Sequence, residues 1–141
     1  MIYISESSFT RQIELLAHLA ETHQMMICAW LYPESTANEI AGFPIIRAPS
    51  NLEPITTYEE GVCTGHTKLI RALVENISSY KAAETALVTH CDSLALYKVG
   101  ESSWFAATIG HEGMCLIKEP SLLPSLVAAG YSASIEPPSW W

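Results

Sequence analysis

The sequence predicts an α+β fold, in which N-terminal helices pack on a mainly antiparallel sheet and a short helix follows near the C-terminus. Three features predict it. Apolar residues recur at helical spacing between Phe9 and Ala20. From Ala86 onward the pattern switches to alternation at period two. Turn chemistry then separates the alternating stretches, at Gly100-Glu101-Ser102-Ser103 and at Gly110-His111-Glu112-Gly113. No internal repeat, low-complexity tract or linker interrupts the chain, so one domain over residues 1–141 is expected.

Ile2 to Ile4 reads as a short first strand. Ser7 or Ser8 is a ready cap for a helix running to about Thr22, with Phe9, Ile13, Leu16 and Ala20 on its apolar stripe and Leu15 and Leu19 widening it. Met25 to Tyr32 is a continuous apolar run stopped by Pro33, too short for a typical helix, and reads as a buried strand. Phe43 to Arg47 is a further strand, and Pro44 inside it suggests an edge position. Residues 49–61 are irregular. A second helix is expected from Thr64, its inner face marked by His66, Leu69, Ile70, Leu73, Val74, Ile77 and Tyr80. Ala86–Cys91, Leu94–Val99, Trp104–Ile109 and Met114–Lys118 are four strands of an antiparallel meander. Pro124 opens a last helix that Gly130 closes, Tyr131 to Ile135 adds a strand, and Pro137-Pro138 ends regular structure.

Composition narrows the function classes. The chain is 49% hydrophobic with a mean hydropathy of +0.19, so it folds around a core and is not a disordered segment. Charged residues make up 16%, against about 25% in a typical domain. A surface so sparsely charged suggests that part of it is covered in the working state, by a partner or a second copy. The net charge is −8, with seven scattered Lys and Arg, and no basic stripe exists for phosphate contacts; nucleic acid is not an expected partner. The longest apolar run, Met25 to Tyr32, is eight residues, too short to span a bilayer. The N-terminus has no basic region before its apolar residues, and Cys28, Cys63, Cys91 and Cys115 are widely spaced. A cytoplasmic protein with reduced thiols is the expectation.

Three groups of residues could carry function. Cys63 lies where a loop becomes a helix, within Glu60-Gly61-Val62-Cys63-Thr64-Gly65-His66, and a helix N-terminus lowers a thiol pKa. His90, at the end of a strand, and His111, in a hairpin turn, are its candidate bases. Metal is the second possibility: Cys63 and His66 are spaced i, i+3, and His90-Cys91 and His111 with Cys115 are further donors. Neighbouring strand residues point to opposite faces, and no familiar paired zinc spacing is present, so neither metal nor cofactor is expected. The third group is aromatic. The chain ends on Trp140 and Trp141, a residue type enriched at binding hot spots. Alternation places Leu94, Leu96 and Lys98 opposite Ala95, Tyr97 and Val99, and Trp104, Ala106 and Thr108 opposite Phe105, Ala107 and Ile109. Both sheet faces then carry large apolar groups. One is left for helices and the other for the tail, a second subunit or a partner, which makes Tyr97, Trp104, Trp140 and Trp141 candidate binding residues.

Gly61-Val62-Cys63 ahead of an amphipathic helix resembles the transglutaminase-like branch of the papain-like superfamily, and His111-Glu112-Gly113-Met114 resembles the histidine strand of its NlpC/P60 branch. That resemblance implies a cysteine hydrolase, deamidase or acyltransferase using Cys63 with His90 or His111. The chain departs from the pattern at His66 in the first helical turn, and no aspartate follows Trp104 as third member. In overall character, and in its tail from Gly130 to Trp141, the chain also resembles bacterial toxin-immunity proteins, which are small, acidic α+β inhibitors. This resemblance implies a module that occludes a toxin or enzyme without chemistry, and it is the leading expectation. The thiol enzyme is the alternative.

Overall fold

The computed structural model describes residues 1–20, 25–31, 39–40, 43–46, 52–53, 69–73, 89 and 91–141. Ser8 begins the first helix. Its Oγ accepts a hydrogen bond from the Arg11 backbone N–H at 3.4 Å, and the Glu6 carboxylate accepts one from the Ser8 N–H. Helix α1 (Phe9–Ala20) follows, and its apolar stripe is the one the periodicity predicts: Ile13, Leu15, Leu16, Leu19 and Ala20 are all buried. Burying each such Leu or Ile is worth about 1.5–3 kcal/mol. The last helix, α2 (Leu123–Ala128), starts with Pro124 in its first turn. Gly130, at φ +89°, turns the chain away from it.

Nine strands are described: β1 (Ile2–Ser5), β2 (Met25–Leu31), β3 (Glu39–Ile40), β4 (Phe43–Ile46), β5 (Leu69–Leu73), β6 (Cys91–Lys98), β7 (Trp104–Ile109), β8 (Met114–Ile117) and β9 (Ala133–Ser134). Every described pairing is antiparallel, and the order is β3-β4-β5-β2-β6-β7-β8-β1-β9. The α+β class is therefore as the sequence predicts. Pro44 sits one strand in from the edge, but β5 pairs only with Ile45 and Ile46, so no ladder bond on that side is lost at the proline.

Two readings of the sequence are corrected. Residues 69–73 form a strand between β4 and β2, where their spacing suggests a helix face. The spacing of Leu69, Ile70 and Leu73 suits either element, and the ladder on the all-apolar β2 decides between them. In the second half, Thr89 is helical and not strand, residues 86–88 and 90 lie outside the described residues, and the strand expected over 94–99 starts earlier, at Cys91, and ends at Lys98.

The sheet has an apolar cluster on each face. On one face α1 and α2 cover Ile2, Ile4, Leu94, Leu96, Ala106, Cys115 and Ile117. The other face carries Ala95, Tyr97, Trp104, Ala107, Ile109, Met114 and Leu116, with Tyr3 and Leu52 packed against them. Trp104 belongs to this second face because the β6–β7 register slips. Leu96 pairs with Ala106 but Tyr97 pairs with Trp104, leaving Phe105 as an extra residue. One extra residue reverses the side-chain parity beyond it. Trp104 therefore shares a face with Ala107 and Ile109, and not with Ala106 and Thr108 as simple alternation has it. Among the described residues no helix is long and apolar enough to cross a membrane.

Candidate functional site

The exposed aromatic residues lie where the chain leaves the sheet. Strand β9 pairs with β1 as Tyr3–Ser134 and Ile4–Ala133, which carries the following residues along the β1 edge. Ile135 and Met1 are both exposed there. Pro137 and Pro138 stop further pairing, and the chain turns back: the Trp141 N–H bonds to the Pro138 carbonyl at 3.0 Å. Trp141 then meets the Tyr3 ring edge-on, with centroids 6.3 Å apart and planes at 66°. Trp140 stands against Trp141 in the same way, at 6.1 Å and 69°. The row Tyr3–Trp141–Trp140 thus steps outward from the sheet. Trp141 is 39% exposed and Trp140 is 61% exposed.

Tyr97 and Trp104, the other two aromatic candidates, form a cross-strand pair, as the register requires. They are 0% and 1% exposed, inside the chain's own core, so they reach a partner only if that face opens. Glu53 is bonded to Tyr97 and to the turn beside Trp104, a residue that composition and pattern do not single out. The Glu53 N–H bonds to the Ser102 carbonyl at 2.9 Å, and its own carbonyl accepts the Tyr97 hydroxyl at 3.0 Å. Its carboxylate receives the Lys118 ammonium at 2.6 and 2.7 Å, together with the Ser103 hydroxyl. The same ammonium sits over the Trp104 ring, 4.1 Å from its centroid. The indole Nε1–H of Trp104 is buried and has no hydrogen-bond partner among the described residues.

Burial raises the Glu53 carboxyl, but hydrogen bonds from Lys118 and Ser103, the Lys118 charge and the Trp104 backbone N–H outweigh it and hold the group below its ordinary value. A depressed carboxyl contributes stability that is present above the unfolded-state pKa and lost as pH falls through the folded one. The difference in urea midpoint between wild type and Glu53→Gln is therefore expected to be constant from neutral pH down to about 5, to shrink below about 4.5, and to vanish in stronger acid. A difference that persists unchanged to pH 2.5, or is already gone at pH 6, would rule out this role for the carboxylate.

The chemistry-bearing candidates are described in part. Cys63, His66 and His90 lie outside the described residues. His111 lies on the 3-10 turn Gly110–Glu112 between β7 and β8, its side chain half exposed, with Nε2 3.8 Å from Glu112 Oε1. Cys115 is in the core under α1, where burial, with the Glu6 charge adding to it, pushes its thiol far above the ordinary range. It is no nucleophile. Ser103 and Lys118 approach to 2.9 Å, and both side chains are engaged by the Glu53 carboxylate. Among the described residues no group of three or more His, Cys, Asp or Glu is placed to hold a metal ion.

Over 100 residues, 70% of this chain, the sequence is 22% identical to a biotin synthase from Caldicellulosiruptor bescii, and it spans 28% of that protein's length. No family model matches the chain, and no solved structure does.

Proposed function

We propose that this protein is a small cytoplasmic protein-binding module, an inhibitor of the toxin-immunity kind that acts by occluding a toxin or enzyme. The observation that carries the reading is the pair of exposed tryptophans at the end of the Tyr3–Trp141–Trp140 row. Large rigid aromatics are the commonest hot-spot anchors, and they lose little conformational freedom on docking when a neighbour already holds them. Trp141 is so held by Tyr3. Ile135 and Met1 are also exposed near the ends of β9 and β1. The net charge of −8 suits a basic partner, since opposite fields speed encounter.

The test is Trp140→Ala/Trp141→Ala in a chain whose partner has been captured by cross-linking through a photoreactive residue at position 140. Two hot-spot anchors lost together are expected to weaken binding by roughly a hundredfold or more. Both side chains are substantially exposed, so the thermal midpoint should move by only a few degrees. Unchanged affinity in the double variant would sink the tail as the binding element. Unfolding of the variant would show instead that the tail belongs to the core.

A further inference from the structure

We infer that the open face of Trp140 receives a basic side chain, a lysine or arginine of the partner protein, stacked on the indole. The inference rests on the tail as the binding element and names the group that docks there.

It starts from how the chain holds its own cations. Arg11 lies over the Tyr131 ring, 5.6 Å from the centroid, Lys98 over Phe105 at 5.2 Å and Lys118 over Trp104 at 4.1 Å. These three are all the Lys and Arg residues whose side chains are described. Two of them also meet a carboxylate, Arg11 with Glu6 at 2.7 Å and Lys118 with Glu53 at 2.6 Å. The Arg11 side chain is half exposed, so water is open to it, and it still lies against a ring and an acid. The face of an aromatic ring attracts a cation through its quadrupole, and a carboxylate in the neighbourhood strengthens that field.

The tail has the accepting half of this arrangement without the cation. Trp140 is 61% exposed and meets Trp141 at a steep angle. A T-shaped contact uses at most one face of each ring, so a face of Trp140 is left to solvent. Among the described residues no lysine or arginine stands on Trp140 or Trp141. Glu136, four residues earlier in the same tail, is exposed and forms no ion pair among the described residues. Tryptophan is also the strongest cation acceptor of the three aromatic side chains. The net charge of −8 favours the approach of a basic group and opposes that of an acidic one. A second copy of this chain is a poor donor, since it carries the same charge and its described cations are already held on rings of their own.

The probes are three capped tripeptides, arginine–glycine–arginine, citrulline–glycine–citrulline and leucine–glycine–leucine. Each is titrated into the full-length protein and read by NMR at the indole Nε1–H of Trp140 and Trp141. Citrulline keeps the shape of arginine and lacks its charge. The arginine peptide should bind about threefold to fivefold more tightly than either neutral peptide, the ratio expected of an exposed cation–π contact. Trp140→Leu keeps apolar bulk but loses the quadrupole, and should at least halve that ratio, read at Trp141. Glu136→Gln should lower it as well. Equal binding of the citrulline peptide would overturn the inference, and so would a ratio unchanged in Trp140→Leu. A leucine peptide that binds more tightly than the arginine peptide would overturn it too, while leaving the tail as an apolar docking element. Indoles unmoved by any peptide would remove the basic group, and the tail reading would then rest on the Trp140→Ala/Trp141→Ala affinity alone. Movement of the Trp140 resonance on raising protein concentration without peptide would put a second copy in the place of the basic group. The three-peptide comparison in the wild type decides the matter even if a variant fails to fold.

Discussion

Trp104→Ala is expected to remove about 3–5 kcal/mol of folding stability, the usual range for truncating a buried aromatic to alanine. The indole is 1% exposed and packs in the cluster with Tyr97, its cross-strand partner. It also carries the Lys118 ammonium on its face, so the substitution removes a cation–π contact along with the buried area. Its polar atom, by contrast, contributes little, because the Nε1–H meets no acceptor among the described residues. Trp104→Phe should accordingly cost under about 1.5 kcal/mol: it keeps most of the ring and removes an unsatisfied donor. Urea denaturation of the two variants checks both numbers. Similar losses for Phe and Ala would mean that the indole nitrogen does have a partner. A loss below about 1 kcal/mol for Ala would mean that Trp104 is not core.

Gly113→Ala is expected to cost roughly 2 kcal/mol, from two causes that can be separated. Gly113 closes the 3-10 turn between β7 and β8 at φ +63°, a left-handed conformation that burdens any residue with a Cβ. A Cβ there would also stand 3.2 Å from the Ser7 Cα, and this neighbour is backbone that cannot swing away. The Glu6 N–H is bonded to the Gly113 carbonyl at 2.7 Å, which fixes the two segments against each other just ahead of α1. Gly100, at φ +86° in the β6–β7 turn, has nothing within 4 Å of the same position. Gly100→Ala therefore bears the backbone cost alone, about 1 kcal/mol, and the difference between the two variants in urea isolates the crowding. Equal losses would show that the α1 entry yields to accommodate the methyl group.

The legible parts of the fold are those that local chemistry decides. Helix α1 is readable because Ser8 caps it and its stripe keeps one period from Ile13 to Ala20. The β7–β8 hairpin is readable because Gly110 and Gly113 bracket its turn. The pattern fails where pairing at a distance chooses the element. Leu69–Leu73 fits a helix face and a strand equally until β2 stands beside it. The bulge at Phe105 follows no residue type, yet it moves Trp104 to the opposite face and so changes what lies next to Tyr97. Of the candidate site, Trp140 and Trp141 are evident from residue type alone. Glu53 and Lys118 are not, since they stand 65 residues apart and nothing in either neighbourhood marks the other as its partner.

Strand β1 imposes a timetable on the ribosome's product. Its place in the sheet is between β8 and β9, and the Ser5–Met114 contact spans 109 residues. At about 5–20 residues per second of synthesis, the strand waits on the order of 5–20 seconds for β8 to emerge. During that time Ile2 and Ile4, fully interior in the finished protein, have no ladder to join. The half of the sheet built from β7, β8, β1 and β9 can zip only after β8 and β9 have been made, and a nascent chain of this topology offers early apolar segments to chaperones until then.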